Sequence, residues 1–366
     1  MTGHTKPDAK AVAEQPLHFK PRLSKPFEPP ADYKPLPVDP IPERYLLDLA
    51  TKCNLRCPMC PVWGSPDNAA QEKVKGVMPL EESKKILDEI MALKPLIQPN
   101  MYGEPLLAPN LRERIIDMKN RGIAVAMNTN GLTLNEDLAK FFVEVKLDSI
   151  FFSIDSITPE TLKKIRGIWK LDRIEKAVHI MLNARGENTY PRIGVSFTEQ
   201  EDNRHERDGF VQRWIHLVDC VRVGLIFENG RFKDMPDPGP RKPCPSIYNT
   251  MPIHNDGTVT ICCLDGFKTT KMGNVFKEGS VEAVWNGDKF KRARYYHETG
   301  QYDKIPFCKN CNGWAQYEFK EEVKDGYLIR TSPQFVYYNK IARLTNWQGA
   351  LMGGHPEIEI AELLEN

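Results

Sequence analysis

The amino-acid sequence predicts an α/β protein whose larger part is a partial (β/α)6 barrel and whose smaller part is a C-terminal α+β domain. From Arg44 onward, short β-prone runs alternate with amphipathic helical patterns, which is typical of βα units in a parallel sheet. After residue 235 this alternation gives way to short strands, turns and clustered cysteines, which indicates a domain boundary. We therefore divide the chain into an arm (1–43), a barrel (44–235), a small domain (236–318) and a tail (319–366).

The arm is rich in proline and contains the pair Pro29-Pro30. Proline lacks the backbone N–H that a helix interior or a central strand requires, so neither is expected here. We predict an extended segment. The sequence leaves open whether this segment is disordered or lies on the barrel, and it offers no functional interpretation of the tail.

The barrel contains six β-prone runs, each followed by a helical pattern or a loop. The predicted strands are Tyr45–Leu49, Ile97–Met101, Ile123–Asn128, Ser149–Ser153, Ile193–Phe197 and Cys220–Leu225. The helices between them include Leu80–Leu93 and Leu111–Arg121.

The composition is that of a globular protein without a dominant charge. Of the 366 residues 41% are apolar, and 50 lysines and arginines balance 49 aspartates and glutamates. No long-range field favours nucleic acid or an acidic membrane surface. The sequence has no apolar run long enough to span a bilayer, and residues 1–20 contain no signal-peptide hydrophobic segment. We expect a cytoplasmic protein that binds neither nucleic acid nor membrane.

Three cysteines with the spacing C-x3-C-x2-C follow the first predicted strand: Cys53, Cys57 and Cys60. They lie on a loop at the carboxyl end of that strand, where barrel folds build their active sites. In a reducing compartment, clustered cysteines indicate metal binding or catalysis rather than disulfides. Three thiolates can hold three irons of a 4Fe-4S cluster and leave the fourth iron open, whereas an electron-transfer cluster usually has four cysteines. A zinc site is the alternative.

Polar motifs follow the ends of the next three strands. They are YGEP at residues 102–105, NTNG at 128–131 and SID at 153–155. Each motif alone could be an ordinary turn. Four motifs at the ends of four consecutive strands, beginning with the cysteine loop, are difficult to obtain by chance.

With its motifs in this order, the sequence resembles the radical S-adenosylmethionine (SAM) superfamily. The resemblance implies that Cys53, Cys57 and Cys60 hold a 4Fe-4S cluster whose open iron is chelated by the cofactor. It further implies that an electron from the cluster cleaves the cofactor to a 5'-deoxyadenosyl radical, which abstracts a hydrogen atom from the substrate. The cofactor then supplies the chemistry, and the protein supplies position and shielding.

The same resemblance implies four cofactor-binding residues. Glu104 would hold the amino group of the cofactor, Asn130 would lie near the cofactor, and Ser153 and Asp155 would contact its ribose and its methionine carboxylate. One position departs from the family pattern, because an aromatic residue that stacks on adenine often precedes the third cysteine. Here that position is Met59, whose thioether can also pack on a ring face.

A second set of cysteines lies in the small domain: Cys244, Cys262 and the C-x2-C pair of Cys308 and Cys311. On ligand chemistry alone, this set suits either zinc or a fully ligated 4Fe-4S cluster. The order of the surrounding motifs, beginning with DGTV at 256–259, resembles the C-terminal SPASM/twitch domain of one branch of the superfamily, in its shortened form. The resemblance implies one auxiliary 4Fe-4S cluster. The DG pair predicts a two-residue hairpin turn.

Three further residues are considered for a role: Cys263 and Arg166 have two interpretations each, and Cys220 has one. Only one of the adjacent Cys262 and Cys263 is expected to bind the cluster, because neighbouring side chains of a strand point to opposite faces. In radical SAM epimerases a cysteine donates a hydrogen atom to the substrate radical, so Cys263 is either such a donor or a core residue. Cys220 is expected to be buried and inert. Arg166 either meets a carboxylate or is solvated.

The resemblance implies an enzyme that abstracts a hydrogen atom from a polar substrate. Loss of one more electron through the second cluster would dehydrogenate the substrate, as in the aminocyclitol dehydrogenase of antibiotic biosynthesis, whereas quenching by a thiol would epimerise it. We predict an oxidoreductase acting on a small molecule such as a sugar or aminocyclitol, with flavodoxin or ferredoxin as a typical electron donor. The alternatives are epimerisation or cross-linking of a ribosomally made peptide and, from another class, a non-catalytic zinc-binding scaffold.

Overall fold

Six parallel strands in chain order form the partial barrel that the sequence predicts. Each neighbouring pair in the order β1-β4-β5-β6-β7-β8 is parallel. The structure is a computed structural model, and it describes residues 26–346. The first eight strands are β1 (Arg44–Leu47), β2 (Ala50–Thr51), β3 (Gly76–Val77), β4 (Leu96–Gln98), β5 (Ala124–Thr129), β6 (Ser149–Ser153), β7 (Arg192–Glu199) and β8 (Cys220–Leu225).

Helices cover the outer face of these strands. The outward side chains of the strands, such as Leu47, Ile97 and Val125, are fully buried against the helices in one continuous core. Local signals set the helix ends: Thr158 accepts a hydrogen bond at the start of α5, and Gly167 ends that helix in the left-handed conformation. The helices of this part are α1 (Asn68–Val74), α2 (Leu80–Ile90), α3 (Leu111–Asn120), α4 (Glu136–Glu144), α5 (Pro159–Arg166), α6 (Leu171–Arg185) and α7 (Arg207–Trp214).

Alternate residues of the same strands point into the barrel, because successive side chains of a strand lie on opposite faces. A Cβ at Gly194 would lie 2.4 Å from the ring of Phe151, and one at Gly224 would lie 2.5 Å from the ring of Phe335. These two glycines therefore make room for aromatic rings on the inner face. The interior is lined by polar and aromatic groups rather than closed by aliphatic layers.

The small domain continues the sheet of the barrel. Its strand β11 pairs in parallel with β1, with Met251 opposite Tyr45. The two parts of the molecule thus share one sheet, and the small domain lies against the first barrel strand. The barrel part ends with the short hairpin β9 (Phe227–Glu228) and β10 (Arg231–Phe232). The elements of the small domain are α8 (Ser246–Asn249), β11 (Thr250–Ile253), β12 (Thr258–Thr260), β13 (Lys271–Asn274), α9 (Val275–Glu278), α10 (Val281–Trp285) and α11 (Asp288–Glu298).

The hairpin between β11 and β12 is where predicted, but its turn is longer. His254 N donates to Thr258 O (2.9 Å), so three residues, 255–257, make the connection instead of two. Gly257 adopts a φ of 76°. A three-residue loop that ends in a left-handed glycine is the next common hairpin type, and it uses the same DG pair.

The described part of the tail is a β-meander that extends the other edge of the barrel. It consists of β14 (Lys320–Lys324), β15 (Tyr327–Thr331) and β16 (Phe335–Lys340). Strand β16 runs antiparallel to β8 and places Tyr337 opposite Arg222. No helix or strand is predicted from the sequence for the tail. Its three strands cover the edge of β8, which would otherwise be left unpaired.

The described part of the arm, residues 26–43, contains no helix or strand and lies on the small domain. The rings of Phe27 and Tyr33 lie 5.5 Å and 5.0 Å from that of Tyr295 on α11. The Tyr33 hydroxyl donates to the Glu298 carboxylate (2.8 Å). The sequence left open a disordered segment or one that lies on the barrel; these residues instead pack on α11 of the small domain.

Within residues 26–346, no helix combines the length and the apolar character that crossing a bilayer requires.

Candidate active site

The first cysteine set lies on a tight loop beyond the carboxyl end of β1. Cys60 N donates to Cys57 O (2.9 Å), and Gly64 N donates to Cys60 O (2.9 Å). A Cβ at Gly64 would lie 2.3 Å from Cys57 O, so the loop closes this tightly only around glycine. Backbone N–H groups of Leu55 and Trp63 point at the sulfurs of Cys53 (3.4 Å) and Cys60 (3.3 Å).

The thiols of this loop are free and poorly exposed to solvent. Cys57 is buried, and Cys53 and Cys60 are partly buried. Burial raises the pKa of the Cys53 thiol to about 11 and also raises that of Cys57, because a thiolate is less stable away from water. A metal ligand must be deprotonated, so these sites favour thiolates only when a cationic centre is bound.

Glu104 is a buried carboxylate beside this loop. Its Oε1 accepts hydrogen bonds from Thr129 Oγ1 (2.6 Å) and Leu106 N (3.1 Å), and its Oε2 accepts one from Asn130 N (2.8 Å). No lysine, arginine or histidine of the described chain forms an ion pair with it, and burial raises its pKa. A carboxylate has about four acceptor positions, so one remains for a cationic donor.

Asn130 ties the third motif to the cysteine loop. Its side-chain amide donates to the Asn54 side chain (2.7 Å), and its backbone donates to Glu104. Ser153 ends β6 opposite Ser196 of β7 and is partly buried. The motifs at the ends of four strands therefore meet at one edge of the sheet.

Asp155 and Arg166 form a buried ion pair at the same edge. Asp155 adopts a φ of 68°, which is unusual for a residue other than glycine. Its Oδ1 accepts from Thr198 N (2.6 Å), and its Oδ2 lies 2.5 Å from Arg166 Nη2. The charge of Arg166 acts to lower the pKa of Cys57 against the effect of burial. Arg166 is thus not a solvated helix residue, and Asp155 positions it beside the cysteine loop.

The second cysteine set is gathered around the end of α11. Cys244 N donates to His297 Nδ1 (3.2 Å), and Gly313 N points at Cys311 Sγ (3.3 Å). Arg241 donates to the carbonyl oxygen of Cys308 (2.6 Å). The four predicted ligands therefore lie in one region that also contains a cation.

The structure distinguishes the two adjacent cysteines. Leu264 N points at Cys262 Sγ (3.5 Å), which repeats the N–H to sulfur contact found at Cys53, Cys60 and Cys311. Cys262 also packs in the apolar cluster that contains Cys308. In the described chain no residue that follows Cys263 makes this contact with its sulfur. The arrangement favours Cys262 as the ligand.

Tyr102 lies between the two cysteine sets. Its hydroxyl donates to the Leu264 carbonyl beside Cys262 (2.9 Å), and its carbonyl accepts from Trp63 Nε1 of the first loop (2.8 Å). Burial and the neighbouring cysteines raise its pKa well above the usual range, so the ring is a neutral spacer. From the sequence, Tyr102 is only the first residue of the YGEP motif at residues 102–105, and no role is predicted for it.

A chamber of about 360 Å³ lies inside the partial barrel, between the inward-facing side chains of the strands and the Cys262-Cys263 pair. A depression of about 440 Å³ on the outer surface between α4 and α6 contains no cysteine or motif residue. The chamber is therefore the candidate substrate site. Its walls include Arg44, Ser196, Arg222, Cys262, Cys263 and Tyr317.

Comparison with known protein families agrees with this geometry. Residues 48–207 match the Radical SAM superfamily, and residues 244–312 match the SPASM iron-sulfur cluster-binding domain, so that the two matches cover more than half of the chain. This chain belongs to the radical SAM superfamily. The radical SAM domain spans the cysteine loop and the three strand-end motifs, and the SPASM domain spans the second cysteine set.

Individual proteins are similar to this chain, either in sequence over most of its length or in fold. The Tungsten-containing aldehyde ferredoxin oxidoreductase cofactor-modifying protein of Pyrococcus furiosus is 25% identical over 71% of this chain and 73% of its own length. Two crystal structures share the fold. One is BtrN in complex with AdoMet and 2-DOIA, with a TM-score of 0.52 and 20% identity over 74% of this chain and 92% of that chain. The other is Streptococcus suis SuiB bound to the precursor peptide SuiA, with a TM-score of 0.54 and 15% identity over 70% of this chain and 67% of that chain.

A radical SAM domain binds SAM and a 4Fe-4S cluster, and a SPASM domain binds an auxiliary iron-sulfur cluster. The residues present fit these groups. Glu104 offers a buried anion to the cofactor's amino group, and the sulfurs of Cys53, Cys60, Cys262 and Cys311 each face a backbone donor of the kind found around iron-sulfur clusters. Among residues 26–346 no three histidine, cysteine or acidic side chains converge at the distances of a single metal ion. The two family matches support iron-sulfur centres rather than the zinc-scaffold alternative.

Substitution Glu104→Gln should weaken SAM binding about 10- to 100-fold, because a hydrogen bond to a charged group contributes about 1.5–3 kcal/mol. Equilibrium dialysis of SAM against the anaerobically reconstituted protein measures this loss. The exposed Glu72→Gln on α1 is the matched control and should leave SAM affinity unchanged. Equal affinity in Glu104→Gln and the wild type would show that Glu104 only supports the fold.

Substitution of the two adjacent cysteines should give different iron contents. Cys262→Ala should lower the iron content from about eight to about four per chain, because a cluster that loses a ligand is no longer held, whereas Cys263→Ala should keep about eight. Iron and sulfide analysis with electron paramagnetic resonance of the reduced protein measures both variants. The reverse pattern would make Cys263 the ligand.

Proposed function

We propose that this enzyme oxidises a polar small molecule, such as a sugar or an aminocyclitol, inside the chamber. The observation that carries the proposal is the chamber inside the partial barrel, whose lining includes the Cys262-Cys263 pair of the SPASM domain. The lining also includes Thr198, whose backbone N–H donates to Asp155 of the fourth motif, so a substrate there would lie close to the motif edge and to the auxiliary cysteines. The volume of about 360 Å³ lies at the lower end of the range for small-molecule sites.

The oxidation removes two electrons and two protons from the substrate. SAM, when reductively cleaved, supplies the 5'-deoxyadenosyl radical that takes one hydrogen atom from a C–H bond. The substrate then releases one proton to solvent and one electron through the SPASM domain. An external donor such as flavodoxin or ferredoxin provides the electron that begins the reaction.

The chain's own residues hold and shield the reactants. Glu104 and Asn130 fix the cofactor's methionine end against the cysteine loop, and Ser153 lies at the end of β6 where it can contact the cofactor. Asp155 holds Arg166 in place beside Cys57. Tyr102 packs beside Cys53 and Cys60 and is hydrogen-bonded to Leu264, so it connects the two cysteine sets.

Two relatives support a small-molecule substrate. BtrN was crystallised with AdoMet and the small molecule 2-DOIA, and the Pyrococcus furiosus relative is named for modifying a cofactor. Peptide modification is the alternative, and SuiB was crystallised with a precursor peptide. The volume of the chamber suits a single compact molecule or one side chain better than an extended peptide segment, so we favour the small molecule.

Cys263 decides between oxidation and epimerisation. Cys262 and Cys263 both line the chamber, but only the Cys262 sulfur receives the backbone N–H contact found at the other predicted ligands. A thiol that faced the substrate radical could return a hydrogen atom, and the substrate would then be epimerised without net oxidation. We retain Cys263 as the candidate hydrogen-atom donor for this second outcome.

Replacement of Cys53, Cys57 and Cys60 together by alanine should abolish 5'-deoxyadenosine formation with dithionite and SAM. The auxiliary cluster should remain, so that about four irons per chain are still bound. Chromatography of the nucleoside product and iron analysis measure the two effects. Retained SAM cleavage would contradict the assignment of the cysteine loop.

Incubation in deuterated water with a panel of sugars, cyclitols and their amino, phosphorylated and carboxylated forms tests the outcome of the reaction. Oxidation should give a product that lacks two hydrogen atoms, in equal amount to 5'-deoxyadenosine, and Cys263→Ala should still form it. A product of unchanged composition that carries solvent deuterium, and that disappears in Cys263→Ala, would establish epimerisation instead. Mass spectrometry distinguishes these results.

A further inference from the structure

We propose that the substrate of the chamber is an anion, carrying a phosphate or carboxylate group that is bound by Arg44 and Arg222. The inference rests on the proposed function, because it takes the chamber as the substrate site. It specifies the chemical class of the molecule that the chamber accepts.

The wall of the chamber carries positive charge only. Arg44 and Arg222 are the two charged side chains among its lining residues, and no aspartate or glutamate is among them. The remaining polar lining consists of neutral groups such as Gln98, Ser196 and Gln334. Low-dielectric walls strengthen the field of two uncompensated cations inside a cavity. Such a cavity attracts an anion and disfavours a cationic amine, so among the polar small molecules proposed above it favours an acidic sugar or cyclitol over an aminocyclitol without an acidic group.

Arg44 has no counter-ion in the described chain. It begins β1 and projects inward between β4 and β11, where its neighbours in register are Leu96 and Thr250. Its Nε is buried and has no hydrogen-bond acceptor. A buried donor without an acceptor is costly, so this guanidinium lacks a partner that a ligand can supply.

Other buried arginines of this chain do have partners. Arg166 pairs with Asp155, and Arg185 pairs with Asp219. Arg114 donates to the backbone carbonyl oxygens of residues 78 and 109. Arg166 and Arg185 also leave a buried Nε without an acceptor, so the difference lies in the carboxylate partner that each of them has and Arg44 lacks.

Arg222 is held in position by neutral contacts. Its Nη2 donates to Asn128 Oδ1 (3.2 Å), and its guanidinium carbon lies 5.0 Å from the centre of the Phe151 ring. Both contacts orient the planar group without neutralising it, and they leave most of its five N–H donors free. A guanidinium presented in this way matches the paired oxygens of a phosphate or carboxylate.

Arg44 has a competing role, as a counter-charge near the auxiliary cluster, that Arg222 does not share. Arg44 lies close enough to Cys263 to influence its ionisation, so it could serve as the counter-charge of the auxiliary cluster. Arg241 already contacts the cluster-binding segment through the carbonyl oxygens of Cys308 and Lys309. Arg222 contacts the barrel residues Asn128 and Phe151, so the counter-charge role does not extend to it.

The test uses small probes that make no demand on shape: inorganic phosphate, acetate, and neutral urea as the comparison. Each is titrated calorimetrically into the full-length, anaerobically reconstituted enzyme with SAM present. Phosphate, acetate or both should bind more tightly than urea, and the stronger of the two identifies the anionic group. Arg44→Gln and Arg222→Gln should each weaken that binding about tenfold, which corresponds to the loss of about 1.4 kcal/mol.

Matched variants separate a binding role from a structural one. Arg44→Lys and Arg222→Lys keep the charge and should retain part of the affinity, and the exposed Arg112→Gln on α3 should behave as the wild type. Iron content and the spectra of the reduced clusters should not change in any variant. If neither anion binds more tightly than urea, or if both glutamine variants bind like the wild type, the proposal is overturned. It is also overturned if Arg44→Gln alters only the auxiliary-cluster spectrum.

Failure of this inference is distinguishable from failure of the proposed function. Oxidation of a neutral or cationic compound, with no binding of either anion, would reject the anionic substrate and keep the oxidoreductase. Anion binding that depends on both arginines, without an oxidised product from any phosphorylated or carboxylated member of the substrate panel, would reject the oxidation and keep the anion site.

Discussion

Parallel pairing of six strands in chain order is the constraint on which the rest of the structure depends. Parallel neighbours run in the same direction, so their carboxyl ends lie at one edge of the sheet. The cysteine loop follows β1, and the motifs at residues 102–105, 128–131 and 153–155 follow β4, β5 and β6. Their meeting at one site is a consequence of topology, and local interactions then only have to orient the side chains.

A network of buried polar groups performs this orientation. Glu104 N donates to Lys52 O (2.7 Å), and the Glu104 carboxylate is bound by the end of β5. Asn130 connects the same group to Asn54 of the cysteine loop. Buried polar groups are costly unless they are satisfied, so each member fixes the position of the next. The carboxylate that remains without a counter-ion at the centre is suited to a cationic cofactor.

The shared sheet places the second cysteine set on the opposite side of the chamber. β11 is bound to β1 over four residue pairs, and Asp48 N donates to Ile253 O (2.9 Å). Tyr102 spans the gap with one hydrogen bond to each side. Because the barrel and the SPASM domain share one sheet, the cysteine loop and the auxiliary cysteines are held on a continuous framework.

The sequence by itself determined the six strands, the three-cysteine loop and the order of the motifs, because periodicity and spacing are local properties of the chain. It did not determine the role of Arg166, the meander that closes the edge of β8, or the pair formed by Arg44 and Arg222. These depend on contacts between residues far apart in the chain: Arg222 meets Asn128 across 94 positions. The sequence shows that Arg44 and Arg222 stand at strand positions. Only the tertiary structure shows that both line the chamber and that no carboxylate lines it with them.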